Sequence, residues 1–251
     1  LVRGCIPSKA LIHAASRFEE INAHTNDSNP NGKMGIFVPQ PAELDMPKLI
    51  EWKDSIVERL SRGVESLLKK NKVKQIKGWA NFSDAKRCTV ETADGQISIH
   101  AEHVILATGS TATELPFLPY SDNVISSTEA LDQHELPHHL VIIGAGYIGL
   151  EMGIAYRKLG TKVTFIEGMD SIVPLYDKEL TKPVVNWLKK HEVNIEYSAR
   201  AQSVVEHGLG KGATLTYCDK KGIEQSIHGD KILVTVGRRP NTQGYGLNNM
   251  C

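Results

Sequence analysis

The sequence predicts an α/β fold built from two similar units, and three observations carry that expectation. Leu140–Ile143 is a continuous apolar run, which reads as a strand buried on both faces, as parallel sheets require, and Val163–Ile166 reads as a second, mainly apolar strand. Between them lies a stretch of helical length, Tyr147 to Lys158, closed by Gly160, a residue suited to a helix C-terminus. Finally, Lys231-Ile-Leu-Val-Thr-Val-Gly237 repeats the pattern of His103-Val-Ile-Leu-Ala-Thr-Gly109, a buried strand that ends in glycine. That recurrence implies two units of like design, each with a small antiparallel meander.

The elements follow in order. Pro7 suits a first helical turn, and Leu11, Ile12, Ala15, Phe18 and Ile21 recur at helical spacing, so residues 1–24 form an amphipathic helix. Residues 25–47, rich in Asn, Pro, Gly and Asp, are a loop. A second long helix spans 48–70, with Leu49, Trp52, Ile56, Leu60, Val64, Leu67 and Leu68 on one side, and the two helices are expected to pack as an antiparallel pair. Over 73–107 the period becomes two. Strands are expected at Val73–Ile76, Cys88–Thr92 and Ile97–His100, with Asp94-Gly95 as a hairpin turn, followed by a buried strand over 103–110. Residues 111–138 cross over through Pro116, Pro119 and Pro137. Beyond the central stretch come a helix over 176–191, a strand over 195–197 and a hairpin with arms at Thr214–Tyr217 and Ser226–His228.

Gly144, Gly146 and Gly149 stand in the G-x-G-x-x-G spacing between the first strand and the helix. The first glycine permits a tight turn, the second lets a pyrophosphate approach the backbone, and the third lets helix and strand pack closely. The helix N-terminus presents free N–H groups and a positive dipole end to a phosphate. Glu167 closes the second strand about 20 residues past the glycines, where a ribose 2′-hydroxyl partner belongs. A 2′-phosphate there would meet a like charge. Gly168 to Val173 supply no Arg or Lys to offset it, so NAD is expected rather than NADP.

Composition narrows the classes. Lys plus Arg and Asp plus Glu both number 29, which leaves no electrostatic footprint for nucleic acid or a membrane surface. With 41% hydrophobic residues, no apolar stretch has the length to span a bilayer. Cys5, Cys88, Cys218 and Cys251 are widely spaced and match no metal-ligand pattern, so no metal and a reducing, cytoplasmic setting are expected. The chain has no initiator Met and opens inside a recognisable motif, and the expectation is an internal piece of a longer protein. Cys5 sits at a helix N-terminus, four residues from Lys9. Helix dipole and ammonium both favour the thiolate, the nucleophilic and redox-active form.

Gly4-Cys5-Ile6-Pro7-Ser8-Lys9-Ala10-Leu11 resembles the end of the redox motif of the flavoprotein disulfide reductases. Four further stretches match that family in order and approximate spacing: Ala107–Ser110, Ile125–Leu131, Gly144–Glu151 and Gly237–Thr242. The likeness is strongest to its dihydrolipoamide dehydrogenase group. Trp52–Val57, Glu114–Pro116 and Ala155–Gly160 are most similar to the form serving branched-chain 2-oxo acid complexes. The resemblance implies part of an FAD domain (1–134) and a complete NAD domain (135–239), both Rossmann-like. The start of the return into the FAD domain would follow at 240–251.

It further implies oxidation of dihydrolipoyl groups on the acyltransferase of a 2-oxo acid dehydrogenase complex, through a disulfide and FAD to NAD⁺, by a homodimer. Cys5 would be the flavin-facing thiol, and Lys9 would lie near the flavin and pair with Glu151. Thr108, Gly109, Ser110 and Ala80 would contact FAD. Tyr147, Ile148, Ala201 and Gly237 would join the three glycines and Glu167 around NAD, with Tyr147 near the nicotinamide face of the flavin. The family's upstream G-x-G-x-x-G, distal cysteine and His-Glu acid–base pair are not found in this sequence. Alternatives are another flavoprotein reductase of the mercuric reductase type or, for this chain alone, an inactive nucleotide-binding module.

Overall fold

The computed structural model describes residues 2–25, 35–36 and 38–250. Its elements run α1 (Cys5–Asn22), α2 (Met46–Lys70), β1 (Trp79–Phe82), β2 (Arg87–Thr92), β3 (Gly95–His100), β4 (Ser110–Ala112), β5 (Val124–Ile125) and α3 (Ser127–Ala130). They continue with β6 (His139–Ile143), α4 (Tyr147–Lys158), β7 (Lys162–Glu167), α5 (Lys178–Lys190), β8 (Asn194–Tyr197), β9 (Arg200–Glu206), β10 (Ala213–Cys218), β11 (Glu224–Gly229), β12 (Lys231–Val234) and β13 (Arg238–Pro240). They fall into two compact units, Leu1–Leu60 with Ala112–Gly237 and Ser61–Thr111 with Arg238–Cys251.

The first unit is built on a five-stranded sheet in the order β5-β12-β6-β7-β8, with every neighbouring pair parallel. Alternation along each strand shows why apolar residues stand at successive positions. Leu140, Ile142, Val163, Phe165, Ile125 and Leu233 face one core, shared with residues of α1, α4 and α5. Val141, Ile143, Ile166, Val124, Ile232 and Val234 face another, closed by Ala213, Leu215 and Tyr217 of β10. The antiparallel meander β9-β10-β11 therefore covers one face and helices the other. Successive side chains of a strand point to opposite faces, so a strand covered on both sides is apolar at nearly every position. Buried Thr164 of β7 is an exception, with its hydroxyl 3.0 Å from His139 Nε2.

Helix α4 is anchored at several points. Tyr156 is buried and donates its hydroxyl to the Ala130 carbonyl at 2.5 Å, and burial pushes its pKa well up. Lys158 reaches Ser16 Oγ at 3.1 Å and Glu19 at 2.9 Å on α1. At α3, Ser126 and Glu129 form a reciprocal capping box. Lys53 is buried, and its Nζ donates to the Leu131 carbonyl at 2.8 Å and meets Asp54 at 2.9 Å, so its charge is answered.

The second unit holds the three-stranded antiparallel sheet β1-β2-β3, whose tight turn passes through Gly95 at φ +123°. Strand β4 pairs with β13 in a two-stranded ribbon. The described residues thus contain one five-stranded parallel sheet, its antiparallel meander, and two smaller antiparallel sheets.

Three local expectations are corrected. Residues 73–76 form no strand. Lys72 takes φ +58°, and Val73 N donates to the Leu68 carbonyl to close the end of α2. Residues 103–109 form no strand either, and Ile105 is 90% exposed. A strand needs a hydrogen-bonding neighbour, and no strand pairs with this stretch among the described residues. Lastly, α1 packs most closely on α4 rather than on α2. Short Ala10 and Ala15 are buried on α1, and side-chain size at the contact sets how near two helices come. Met46 and Ile50 of α2 join the shared core, whereas Leu60, Val64 and Leu67 are exposed. Part of the expected 25–47 loop, residues 26–34 and 37, and Cys251 lie outside the described residues.

Candidate functional site

From β6 the chain winds outward through β7 to β8, and β12 returns on the other side of β6. The winding direction therefore reverses at the carboxyl ends of β6 and β12, the crevice where open parallel sheets bind ligands. Gly144–Gly149 lies there. Gly144 takes φ +97°, and an added Cβ would stand 2.9 Å from the Thr235 carbonyl oxygen. At Gly149 an added Cβ would stand 2.3 Å from the Gly144 oxygen and 2.6 Å from Thr235 Oγ1. Gly146 differs, since its missing Cβ faces open space. It is the residue before the first turn of α4, and no side chain caps that turn. An approaching anion would meet bare backbone there, the arrangement a pyrophosphate requires.

Two side chains set the loop from below. Glu167 is only 7% exposed, and its carboxylate accepts the Ala145 N–H at 2.5 Å and the Met169 N–H at 2.7 Å. Thr235 follows β12, and its hydroxyl lies 3.0 Å from the Ile143 carbonyl and 2.9 Å from that of Gly144. Sequence reasoning assigned Thr235 no role. Its only signal was its place in the strand-then-glycine repeat, because its contacts depend on β12 lying beside β6. Sequence reasoning gave Glu167 only to a ribose. In the structure its first task is to hold the loop, with the other lone pairs of each oxygen left for a ligand.

Around this loop, Tyr147 is 62% exposed, Ile148 half-buried and Gly237 exposed with φ +138°. Ala201 is half-buried on β9 and pairs with Tyr217 where the β9-β10 register shifts by one residue. Such bulges re-aim side chains and recur beside active sites. Cys5 is exposed as the first residue of α1, and Ser8 Oγ donates to its carbonyl at 3.3 Å.

Lys9 and Glu151, 142 residues apart, meet with Nζ 2.6 Å from Oε1. Their side chains are 62% and 39% exposed, so water screens the pair and the contribution to stability is about 0.2–1 kcal/mol. A double-mutant cycle of Lys9→Met and Glu151→Gln, read by denaturant unfolding, is expected to give a coupling of that size that fades at high salt. A coupling above about 2 kcal/mol would instead require a desolvated pair.

The remaining predicted residues belong to the second unit. Thr108 and Gly109 are exposed, and Ser110 is half-buried. Asn241 ties this stretch down. Its Nδ2 donates to the Thr108 carbonyl at 3.0 Å and its N–H to the Gly109 carbonyl at 3.0 Å, and its own carbonyl accepts Thr108 Oγ1 at 2.7 Å. Arg238 Nε donates to Ser110 Oγ at 2.8 Å. The glycine-ended stretch and the Gly-Arg-Arg-Pro-Asn motif are thereby one construction. Ala80 is half-buried on β1, opposite Val90. Among the described residues no cluster of three or more His, Cys, Asp or Glu is arranged to hold a metal, and no helix is long and apolar enough to cross a membrane.

The sequence profile of a family described as pyridine nucleotide-disulphide oxidoreductase matches residues 1–250. A dihydrolipoyl dehydrogenase of Pseudomonas aeruginosa is 44% identical over 248 residues, covering 98% of this chain and 51% of the relative. One from Geobacillus stearothermophilus is 42% identical over 247 residues, covering 98% and 50%. This chain therefore spans about half the length of the curated relatives it matches. Among solved structures, LpdA from Mycobacterium tuberculosis superposes with a TM-score of 0.83 at 24% identity, over 99% of this chain and 52% of that one. That likeness speaks for the fold.

Proposed function

The chain belongs to the pyridine nucleotide-disulphide oxidoreductase family, and from that premise we propose that it is part of a dihydrolipoyl dehydrogenase. One observation carries the reading most directly. An uncapped helix N-terminus and three glycines stand at the switch point of a parallel sheet, in a chain that also presents an exposed cysteine at the start of a helix. The first arrangement suits a dinucleotide, and the second suits thiol chemistry.

In this reading the substrate is a dihydrolipoyl group on the acyltransferase of a 2-oxo acid dehydrogenase complex. Its two thiols lose two electrons and two protons and become a disulfide. NAD⁺ gains a hydride, and one proton goes to solvent. FAD supplies the two-electron relay between sulfur and nicotinamide when bound. Gly144, Gly146, Gly149 and the first turn of α4 hold the NAD pyrophosphate, and Glu167 accepts a ribose hydroxyl. Tyr147, Ile148, Ala201 and Gly237 line the remainder of that site. Cys5 is the flavin-facing sulfur of the redox disulfide that the dihydrolipoyl thiols reduce, its partner sulfur coming from the distal cysteine not found in this sequence. The Lys9–Glu151 pair sets the charge beside Cys5. Thr108, Gly109, Ser110 and Ala80 contact FAD. We place residues 1–134 and 240–251 in the FAD domain and 135–239 in the NAD domain, and we propose a homodimer working in the cytoplasm.

Titrating the 251-residue chain with NADH, and following transfer of excitation from tryptophan to the nicotinamide, tests the dinucleotide part. Saturable one-to-one binding is expected. The absence of binding to a chain whose circular dichroism shows it folded would overturn that part.

A further inference from the structure

The loop after β7 contains a backbone conformation that nothing in the proposed chemistry calls for. Val173 has φ +36°. For a β-branched residue the left-handed region is a genuine outlier, because its two γ-carbons crowd the backbone there. Such conformations persist only where surrounding contacts over-determine them, and they gather at functional sites. Four contacts do so here. Ile172, the residue before, is buried in the helix-side core. Val173 itself packs partly buried against the same core. Its N–H donates to the Ala145 carbonyl at 3.0 Å, and its carbonyl accepts the Tyr176 N–H at 2.9 Å.

Ala145 is the middle residue of Gly144-Ala145-Gly146 and is fully buried. Its N–H is held by Glu167 and its carbonyl by Val173. The peptide groups on both sides of Ala145 are thus fixed, one by a carboxylate at the end of β7 and one by a strained N–H five residues after Gly168. We propose that Val173 is a positioning residue, a backbone latch that fixes the glycine loop in the shape that receives a dinucleotide pyrophosphate. This rests on the reading of that loop as a dinucleotide site. The latch acts through the valine N–H and its left-handed φ, not through the side chain. Relaxation of Val173 to negative φ turns that N–H away and frees the Ala145 carbonyl. The binding-competent fraction of the loop then falls, and the apparent Kd rises in inverse proportion.

Three substitutions in the 251-residue chain, each titrated with NADH, separate this from ordinary packing. Val173→Gly and Val173→Asn keep an N–H and suit positive φ. They are expected to bind NADH within about threefold of the unsubstituted chain, or more tightly, as latching is kept or improved. Val173→Pro has no N–H and a φ fixed near about −65°, and it is expected to bind at least about tenfold more weakly. A side-chain packing role predicts that Gly and Asn weaken binding as Pro does. That ranking, or a Pro variant that binds like the unsubstituted chain, overturns the proposal. Amide hydrogen exchange without ligand gives a second reading that is independent of binding. The Val173 amide is expected to exchange slowly in the unsubstituted chain and in Val173→Asn. Exchange as fast as that of an exposed loop overturns the latch, whereas slow exchange in a chain that fails to bind NADH overturns the dinucleotide reading and leaves the latch standing.

Discussion

Cys5→Ser is expected to abolish thiol–disulfide exchange in the whole protein while leaving NADH binding unchanged. Cys5 supplies one of the two sulfurs of the redox disulfide that a dihydrolipoyl thiolate attacks, and a serine hydroxyl can take part in no disulfide. Cys5 is exposed as the first residue of α1. Serine fits that position sterically, and the residue before it, Gly4, makes no side-chain cap for the substitution to disturb. The change in folding stability is therefore expected to stay within about 0.5 kcal/mol, as for exposed sites without special contacts. Lipoamide reduction by NADH and NADH titration of the same variant check the two halves separately. Loss of NADH affinity together with exchange would make Cys5 a structural residue.

What could be read from the sequence follows the range of the interactions involved. The strand-glycine-helix-strand stretch over 139–167 depends on local periodicity and turn chemistry, and its expected bounds differ from β6, α4 and β7 by a residue at most. The stretch over 103–109 departs from its expected strand because its apolar residues state a demand for burial without naming the neighbour that meets it. Helix α1 packs on α4 rather than on the expected α2 for the same reason: amphipathicity identifies a buried face but not what it lies against. The proximity of Lys9 to Glu151 came from resemblance alone, since no periodicity links positions 142 residues apart. Thr235 and Val173 carry almost no signal in the sequence because their parts depend on chain segments brought together by topology. A valine also carries no local sign of positive φ.

Glu167 shows how the structure changes an experiment that the sequence suggested. A carboxylate beside the adenosine ribose should favour NAD over NADP, because a 2′-phosphate carries roughly −1.5 to −2 charges. At about 4 Å and an effective dielectric near 20, each unit pair repels by roughly 4 kcal/mol before solvent screening. A remainder of only about 1.4 kcal/mol still gives tenfold discrimination, and Asp170 adds to the repulsion. The sequence alone suggests Glu167→Ala as the test. Yet that variant also strips the acceptor from the buried Ala145 N–H, whereas the N–H of the exposed Met169 can turn to water. Leaving one buried donor unmet costs about 1–3 kcal/mol. Glu167→Ala is therefore expected to lower unfolding stability by that amount and to weaken both coenzymes through the loosened glycine loop. Glu167→Gln removes the charge but retains a carbonyl oxygen for Ala145, so it is expected to keep most of the stability and to narrow the gap between NAD and NADP. Dissociation constants for both coenzymes at one ionic strength, with denaturant midpoints for the three proteins, distinguish these effects. Equal affinities in the unsubstituted chain would remove the charge argument. An alanine variant as stable as its parent would show that Ala145 does not depend on Glu167.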